Sequence, residues 1–290
     1  MDRVSLSDLA VGTRDRNRDS DRGGESDRES RPGMRRLKLV LEYDGTAYHG
    51  WQTQPGLATI QGTLEAALAR IVGGAVSMLG AGRTDAGVHA LGQVASCAVA
   101  TRHDPAMLRR ALNALLPPDI VVRAVEEAPA EFDARRSARS KTYRYTLLRR
   151  DHPSALQARY SLYVPYPLLL PPMAEAARAL VGTHDFSAFR AAACAAASPV
   201  RTVYEATWRP EGPFWHFEIT GNAFLQHMVR IIVGTLLEVG RGRRSPAYTR
   251  EVLESRDRRR AGKTVPSHGL YLVTVRYGDA ASPSGPGPAA

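Results

Sequence analysis

The segment AGRTDAGVHA, which runs from Ala81 to Ala90, combines residues that can do chemistry with neighbours that have very small side chains. Arg83 and Asp85 are two residues apart, and residues with this spacing on an extended chain project to the same side. A guanidinium beside a carboxylate keeps the carboxylate ionised and orients it, so Asp85 could act as a nucleophile or as a base. A turn in which Asp85 caps a backbone amide and pairs with Arg83 would explain the same residues, and the motif alone leaves both interpretations open.

The charge balance of the chain indicates a polyanionic partner. The 290 residues include 39 Lys and Arg against 29 Asp and Glu, which gives a formal net charge of +10 at pH 7. A protein this basic is most plausibly a nucleic-acid binder. The hydrophobic content of 43% is typical of a globular protein with a substantial core.

Cysteine usage and apolar runs narrow the class further. Cys97 and Cys194 are far apart in the sequence, and no Cys/His spacing suits zinc, so we expect no metal site and a reduced, cytoplasmic environment. No uncharged apolar run approaches the roughly 20 residues that span a bilayer, and the charged N-terminus does not resemble a secretory signal, so we expect no membrane contact. The glycines near Asp85 form neither a dinucleotide-binding nor a phosphate-loop pattern, so no nucleotide cofactor is expected.

The elements that must position Asp85 follow from periodicity. Alternating apolar residues in RLKLVLEYD predict a first strand, and the 3.6-residue period of TIQGTLEAALARIVG predicts a helix with Thr59 as its N-cap. DPAMLRRALNALLP predicts a second helix that is capped by Asp104, and NAFLQHMVRIIVGTLLEVG predicts one long apolar helix. Each half of the chain runs strand, helix, strands, helix, strand, which indicates an α+β fold with a mostly antiparallel sheet and helices on one face.

Composition divides the chain into four parts. Residues 1–34 are polar and charged, residues 279–290 are rich in Pro, Gly and Ser, and both are predicted to be disordered tails. Residues 35–139 are expected to form an N-terminal α+β lobe that carries the loop with Asp85, and residues 140–278 a C-terminal α+β lobe.

Six segments together resemble one family in the same order along the chain. They are YDGTAYHGWQTQ, TIQGTLEAAL, AGRTDAGVHALGQV, KTYRY, NAFLQHMVRIIVGTLLEVG and GLYL. This set resembles the tRNA pseudouridine synthases that modify the anticodon stem-loop, the family typified by bacterial pseudouridine synthase A. The resemblance covers roughly Leu37 to Tyr277 and leaves out both tails.

The resemblance implies an activity and an architecture. Uridine in the anticodon stem-loop of tRNA, at tRNA positions 38, 39 and 40, would be isomerised to pseudouridine with no metal, nucleotide or redox cofactor. The fold would consist of two similar lobes that share one continuous sheet, with a basic cleft between them. The family acts as a homodimer in which one tRNA contacts both subunits.

The resemblance also assigns roles to the residues of the opening motif and of KTYRY. Asp85 matches the catalytic aspartate, which either attacks C1′ as a nucleophile or abstracts the 2′ proton. Arg83 matches the arginine that pairs with this aspartate and holds the nucleotide out of the helix, because the target bond is shielded in a stacked stem. Tyr143 matches the tyrosine that stacks on the flipped base and is a candidate for handling the C5 proton, although a tyrosine at this position could equally be a core residue.

Two further residues acquire roles in the same way. Leu270 in GLYL matches an apolar residue that lines the pocket against the uracil ring, and an ordinary buried leucine is the alternative. Arg230 would share a polar helical stripe with Asn222 and Gln226, which could be a solvated face. The resemblance instead places Arg230 near the catalytic aspartate, where it could hold the loop.

Several interpretations remain open at this stage. His89 is read as structural or RNA-contacting, and the arginines of RRLKL, RGRR and RDRRR are candidate phosphate contacts. The alanine-rich run from Arg190 to Ser198 departs from the family pattern, so no RNA contact is assigned to it. The competing functions are a non-catalytic RNA-binding protein of the same fold and a glycosidase-like hydrolase, which would need a second carboxyl at about 5 to 9.5 Å from Asp85.

Overall fold

The first strand has the alternation that its sequence predicts. The computed structural model describes residues 33–278, and β1 spans Met34–Tyr43, so Met34 belongs to the sheet and not to the predicted tail. Leu37, Leu39 and Leu41 are fully buried, whereas the residues between them are only partly covered or exposed. The rest of the two predicted tails, residues 1–32 and 279–290, lies outside the described residues.

Ten strands and five helices make up the described part of the chain. The remaining strands are β2 Met78–Gly80, β3 His89–Ala100, β4 Ile120–Glu127, β5 Ala138–Leu148, β6 Leu162–Tyr163, β7 Gly182–Asp185, β8 Val200–Glu211, β9 Phe214–Gly221 and β10 Leu270–Tyr277. The helices are α1 Ile60–Val72, α2 Pro105–Leu115, α3 Leu170–Arg178, α4 Met228–Gly240 and α5 Tyr248–Ser255. The two short strands β6 and β7 had no counterpart in the sequence prediction.

All ten strands of the described residues join one sheet, in which the last strand lies between two earlier ones. The order is β4-β1-β3-β10-β5-β9-β8-β7, with β2 paired to β3 and β6 paired to β5. The pairs β10–β3 and β5–β6 are parallel, and the other pairs are antiparallel. The predicted α+β class with a continuous, mostly antiparallel sheet is therefore confirmed. The last strand, β10, lies between β3 and β5 and so connects the two parts of the chain that were predicted as lobes.

The helix caps follow the sequence closely. The Thr59 side chain accepts a hydrogen bond from the Gly62 amide at the start of α1, and Asp104 caps α2 with Pro105 as the first helical residue, as predicted. Gly73 ends α1 in the left-handed region at φ 71°. None of the helices in residues 33–278 is long and apolar enough to cross a membrane.

The long helix predicted over residues 222–240 is shorter than expected, and this is a correction. Helix α4 begins at Met228, because His227 has φ 63° and interrupts the helical backbone. The Asn222 carboxamide oxygen accepts hydrogen bonds from the amides of Thr202 and Ala223, and these bonds stabilise a tight turn before the helix. The predicted polar stripe of Asn222, Gln226 and Arg230 on one helix is therefore wrong.

Helix α4 is buried on nearly all sides. Apart from Arg230 and Glu238, every residue from Met228 to Gly240 is buried. A Cβ atom at Gly234 would lie 1.8 Å from the carbonyl oxygen of Lys263, so only glycine allows the segment after α5 to cross the helix there. This close crossing fixes α4 against the segment that leads to β10.

Candidate active site

The loop between β2 and β3 carries Asp85, and contacts on its buried side hold it in place. The Thr84 side chain is buried, and its hydroxyl lies 2.8 Å from the hydroxyl of Tyr43. The Thr84 carbonyl accepts a hydrogen bond of 3.0 Å from the amide of Trp51. The indole of Trp51 packs so tightly on Gly80 that a Cβ there would lie 2.4 Å from it. Gly80 therefore allows the buried side of the loop to pack closely.

The Asp85 carboxylate faces the N-terminal end of α4, where Arg230 lies. The Arg230 guanidinium donates from Nη1 to Asp85 Oδ2 over 3.1 Å, and the Asp85 side chain remains 25% exposed. No backbone amide in residues 33–278 donates to this carboxylate, so the interpretation of Asp85 as a backbone cap is wrong. The arrangement leaves an oriented, ion-paired carboxylate that solvent or a ligand can reach.

Arg230 is itself fixed by a second element. Its Nε donates to the carbonyl of Val265 over 2.8 Å, and its side chain is only 15% exposed. Val265 lies in the segment that leads to β10, so one guanidinium joins α4, that segment and the Asp85 loop. The expected proximity of Arg230 to Asp85 is thus present, although Arg230 stands in the first turn of α4 and not within a long polar stripe.

Arg83 does not pair with Asp85, which corrects the spacing argument. The chain from Gly82 to Asp85 is not a regular strand, so the two-residue spacing does not place the two side chains on the same side. Thr84 points into the core, whereas Arg83 is exposed and makes no hydrogen bond or ion pair within the described part of the chain. Arg83 lies beside the candidate site with its guanidinium uncommitted.

Tyr143 lies against the same loop. A Cβ at Gly82 would be 3.2 Å from the Tyr143 hydroxyl, and the ring meets Phe224 edge-on with centroids 5.0 Å apart. Burial raises the pKa of Tyr143, and the nearby Asp85 charge adds to the rise, so the phenol stays protonated at neutral pH. Its hydroxyl has no hydrogen-bond partner among residues 33–278. The neighbouring Tyr145, by contrast, donates to the carbonyl of Pro266 and is a core residue.

Leu270 occupies the start of β10 opposite Tyr145. It is 6% exposed and follows a short turn whose first residue, Ser267, approaches the loop so closely that a Cβ at Gly87 would lie 2.7 Å from Ser267 Oγ. Leu270 therefore lies in a segment that adjoins the loop. Its burial agrees both with a core leucine and with a leucine that lines the pocket.

The structure shows the surroundings of two histidines, one near the Asp85 loop and one beside Asp85 itself. His89 is 2% exposed, its Nδ1 accepts a hydrogen bond from the amide of Gly45 and lies 3.0 Å from Asp44 Oδ1, and its Nε2 lies 2.9 Å from the carbonyl of Arg159. These contacts support the structural interpretation of His89. His227, which sequence reasoning missed, lies with Nε2 3.6 Å from Asp85 Oδ2. Its left-handed backbone is uncommon for a residue other than glycine, and nothing in the local sequence signals it.

The arginine segments that were predicted to contact phosphate are partly engaged within the protein. Arg35 pairs with Glu127, Arg243 lies 3.5 Å from Glu238, and Arg259 forms a bidentate pair with Asp257. These pairs are at the surface, where their net contribution is small and RNA could compete for the arginine. No group of three or more His, Cys, Asp or Glu side chains in residues 33–278 is arranged to hold a metal ion.

Comparison with known proteins gives a consistent result. The family model described as tRNA pseudouridine synthase matches residues 39–135 and 176–278. The tRNA pseudouridine synthase A of Acetivibrio thermocellus is 46% identical over 244 residues, which cover 84% of this chain and 100% of the relative. Proteins of the same name from a Geobacter species and from Ralstonia nicotianae are each 47% identical, over 84% and 85% of this chain and 99% and 92% of their own lengths.

Proposed function

This chain belongs to the tRNA pseudouridine synthase family, and on that basis we propose that it isomerises uridine to pseudouridine in the anticodon arm of tRNA, at positions 38, 39 and 40. In the reaction the bond from C1′ to N1 breaks, the uracil rotates, and C5 forms the new bond to C1′. The C5 proton is lost and N1 ends protonated, so the product is an isomer of the substrate. The observation that carries the proposal is the accessible Asp85 carboxylate held at 3.1 Å by Arg230.

Asp85 acts on the ribose in this proposal. As the nucleophile it adds to C1′ while the uracil leaves with the electron pair of the glycosidic bond, and the re-formed carboxylate departs when C5 attacks. The route through loss of the 2′ proton also requires an ionised carboxylate. The guanidinium of Arg230 supports both, because it favours the ionised form and fixes its direction.

Tyr143 and Leu270 hold the base, and Tyr143 also takes part at C5. The ring of Tyr143 is braced by Phe224, which suits stacking on an extruded uracil. Its unpartnered, protonated hydroxyl suits a relay for the C5 proton. Leu270 supplies apolar contact to the uracil from the segment beside the loop.

Arg83 keeps the nucleotide out of the helix. The target base must leave its stack before Asp85 can reach C1′, and unstacking costs about a few kcal/mol. An exposed guanidinium with no partner among residues 33–278 can fill the vacated position or bind the distorted backbone without losing a contact in that region. We also propose that the protein binds tRNA through its basic charge, forms a homodimer and is located in the cytoplasm. These parts of the proposal rest on the sequence and the family.

A tritium-release assay tests the proposed function. The substrate is an anticodon-arm transcript labelled with tritium at C5 of uridine, since forming the new bond at C5 expels this hydrogen. We expect release with the unmodified protein and none with Asp85→Asn, while RNA binding is retained. Asp257→Asn, which removes a surface carboxylate paired with Arg259, is the matched control and should release tritium normally. Full release with Asp85→Asn would overturn the assignment, and RNA binding without any release by the unmodified protein would favour a non-catalytic binder.

A further inference from the structure

A lysine that the proposed chemistry does not use lies against the same loop. Lys141 is two residues before Tyr143 on β5 and is only 7% exposed. A Cβ at Gly82 would lie 3.7 and 3.8 Å from Lys141 Cδ and Cε, as well as 3.2 Å from the Tyr143 hydroxyl. The lysine stem therefore covers the backbone of the Asp85 loop next to the ring that is proposed to hold the base.

Strand register places a second cation on the same face of the sheet. Lys141 pairs with Gly221 of β9, and Gly221 pairs with Val203 of β8. Arg201 is two residues before Val203, and residues two apart on a strand project to the same side. Lys141, Tyr143 and Arg201 consequently share the face that carries the candidate active site.

Neither cation has a carboxylate partner within residues 33–278. Lys141 has no hydrogen bond or ion pair within residues 33–278, and the Arg201 guanidinium donates only to the carbonyls of Ser198 and Val200, at 2.8 and 2.6 Å from Nη1. Arg201 Nε is buried and has no hydrogen-bond partner in the described part of the chain. Burial and the positive charges of Arg135 and Arg201 lower the pKa of Lys141. The Lys141 side chain is largely buried, and its ammonium has no counter-ion within residues 33–278, so an anion that is supplied from outside would find an unpaired cation here.

We propose that Lys141 and Arg201 form a phosphate subsite that binds a backbone phosphodiester next to the extruded uridine. The inference rests on the proposed function, because it takes the anion from the RNA that presents the uridine to Asp85. A nucleotide that enters the site brings a phosphate on each side of its ribose, and one of them lies within reach of a cation beside the base. Surface arginines such as Arg259 already have carboxylate partners, whereas this pair has none in the described region.

The subsite would orient the ribose as well as attract RNA. Phosphate contacts fix the register of a nucleic acid without reading its sequence, which suits an enzyme that acts on neighbouring uridines in different contexts. With the base held at Tyr143 and the phosphate at Lys141, the sugar between them is restrained on both sides near Asp85. Lys141 and Arg201 are thus positioning residues for the substrate and do not touch the reacting atoms.

The test is a coupling experiment between a protein variant and a modified RNA. Synthetic anticodon arms carry an uncharged methylphosphonate either 5′ or 3′ of the target uridine, and they are compared with the unmodified arm. Lys141→Met keeps the apolar stem and removes the charge, and Lys141→Arg keeps the charge. Lys38→Met is the control, since Lys38 pairs with Glu126 on the opposite face of the sheet. Thermal unfolding of each variant establishes that it is folded.

We expect Lys141→Met to lower kcat/KM about tenfold or more, with Lys141→Arg recovering most of the loss and Lys38→Met close to the unmodified protein. One of the two methylphosphonates should lower kcat/KM of the unmodified protein as much as Lys141→Met does. The same methylphosphonate should have almost no effect on Lys141→Met, because the RNA change and the protein change remove the same contact. Normal activity of Lys141→Met, or losses that multiply at both phosphates, would overturn the subsite. The same comparison of protein variants and RNAs can be measured as RNA affinity, which tests the phosphate contact even if no tritium is released. Absence of tritium release would contradict the proposed function and not the phosphate contact.

Discussion

Arg230 and Asp85 are 145 residues apart in the chain, yet they form the ion pair at the centre of the candidate site, with 3.1 Å between Nη1 and Oδ2. The local sequence instead offers Arg83 as the partner, two residues from Asp85. The structure separates the two arginines by environment, since Arg230 is anchored to Val265 and largely buried whereas Arg83 is exposed and uncommitted. This division suggests that one arginine orients the carboxylate and the other meets the RNA.

Replacing Arg230 should impair turnover more than binding. Arg230→Met removes the contact that directs Asp85 Oδ2, and misplacement of a reacting group by 1 Å can lower the rate about 100-fold. We expect a loss of that order in single-turnover tritium release, with RNA affinity within about threefold of the unmodified protein. Arg109→Met on the exposed face of α2 is the control. An Arg230→Met protein that is folded and retains its turnover would show that Asp85 does not depend on this guanidinium.

Two substitutions of Tyr143 separate its ring from its hydroxyl. Tyr143→Phe keeps the stacking surface and should bind RNA normally, but it should release tritium about 100-fold more slowly if the hydroxyl relays the C5 proton. Tyr143→Leu also removes the aromatic surface and should weaken binding, because stacking of one base contributes about 1–3 kcal/mol. Tyr145→Phe is informative as a comparison, since it should lower thermal stability through the lost bond to Pro266 and leave the chemistry intact. Normal release by Tyr143→Phe would confine the role of Tyr143 to stacking.

Arg83 should matter most when the target base is stacked in a helix. We expect Arg83→Met to leave the unfolding temperature nearly unchanged, because substitutions at exposed positions without partners usually change stability by less than about 0.5 kcal/mol. Turnover should fall about tenfold on a uridine in the paired stem and much less on the same uridine in an unpaired loop, which needs little unstacking. Arg70→Met on the exposed face of α1 is the control. Equal losses on both RNAs would argue against a role in holding the base out.

Lys141 should make the folded state less stable at neutral pH than its methionine variant. The folded-state pKa of Lys141 lies below its ordinary value of 10.5, so the unfolded chain binds more protons in the interval between the two pKa values. The burial penalty is therefore fully present below the lowered pKa and disappears as the pH rises towards 10.5. We expect Lys141→Met to unfold at a higher temperature at pH 7, with the difference shrinking as the pH rises. A variant that is less stable at pH 7 would mean that the lysine has a stabilising partner in the protein.

Local patterns in the sequence determined much of this protein. Thr59 and Asp104 marked the starts of two helices, leucine alternation marked β1, and the glycine-rich motif located Asp85 in a loop between strands. These features could be read because capping, periodicity and close backbone packing depend on residues within a few positions of each other.

Only the tertiary structure decided which groups meet at the site. Insertion of β10 between β3 and β5 places the segment with Val265 and the first turn of α4 beside the Asp85 loop, and thereby selects Arg230 over Arg83. The pairing of β5, β9 and β8 likewise brings Lys141 and Arg201 onto one face. The contact between Arg230 and Asp85 joins residues 145 positions apart. Such contacts arise from strand order and register, which no local pattern of residues encodes.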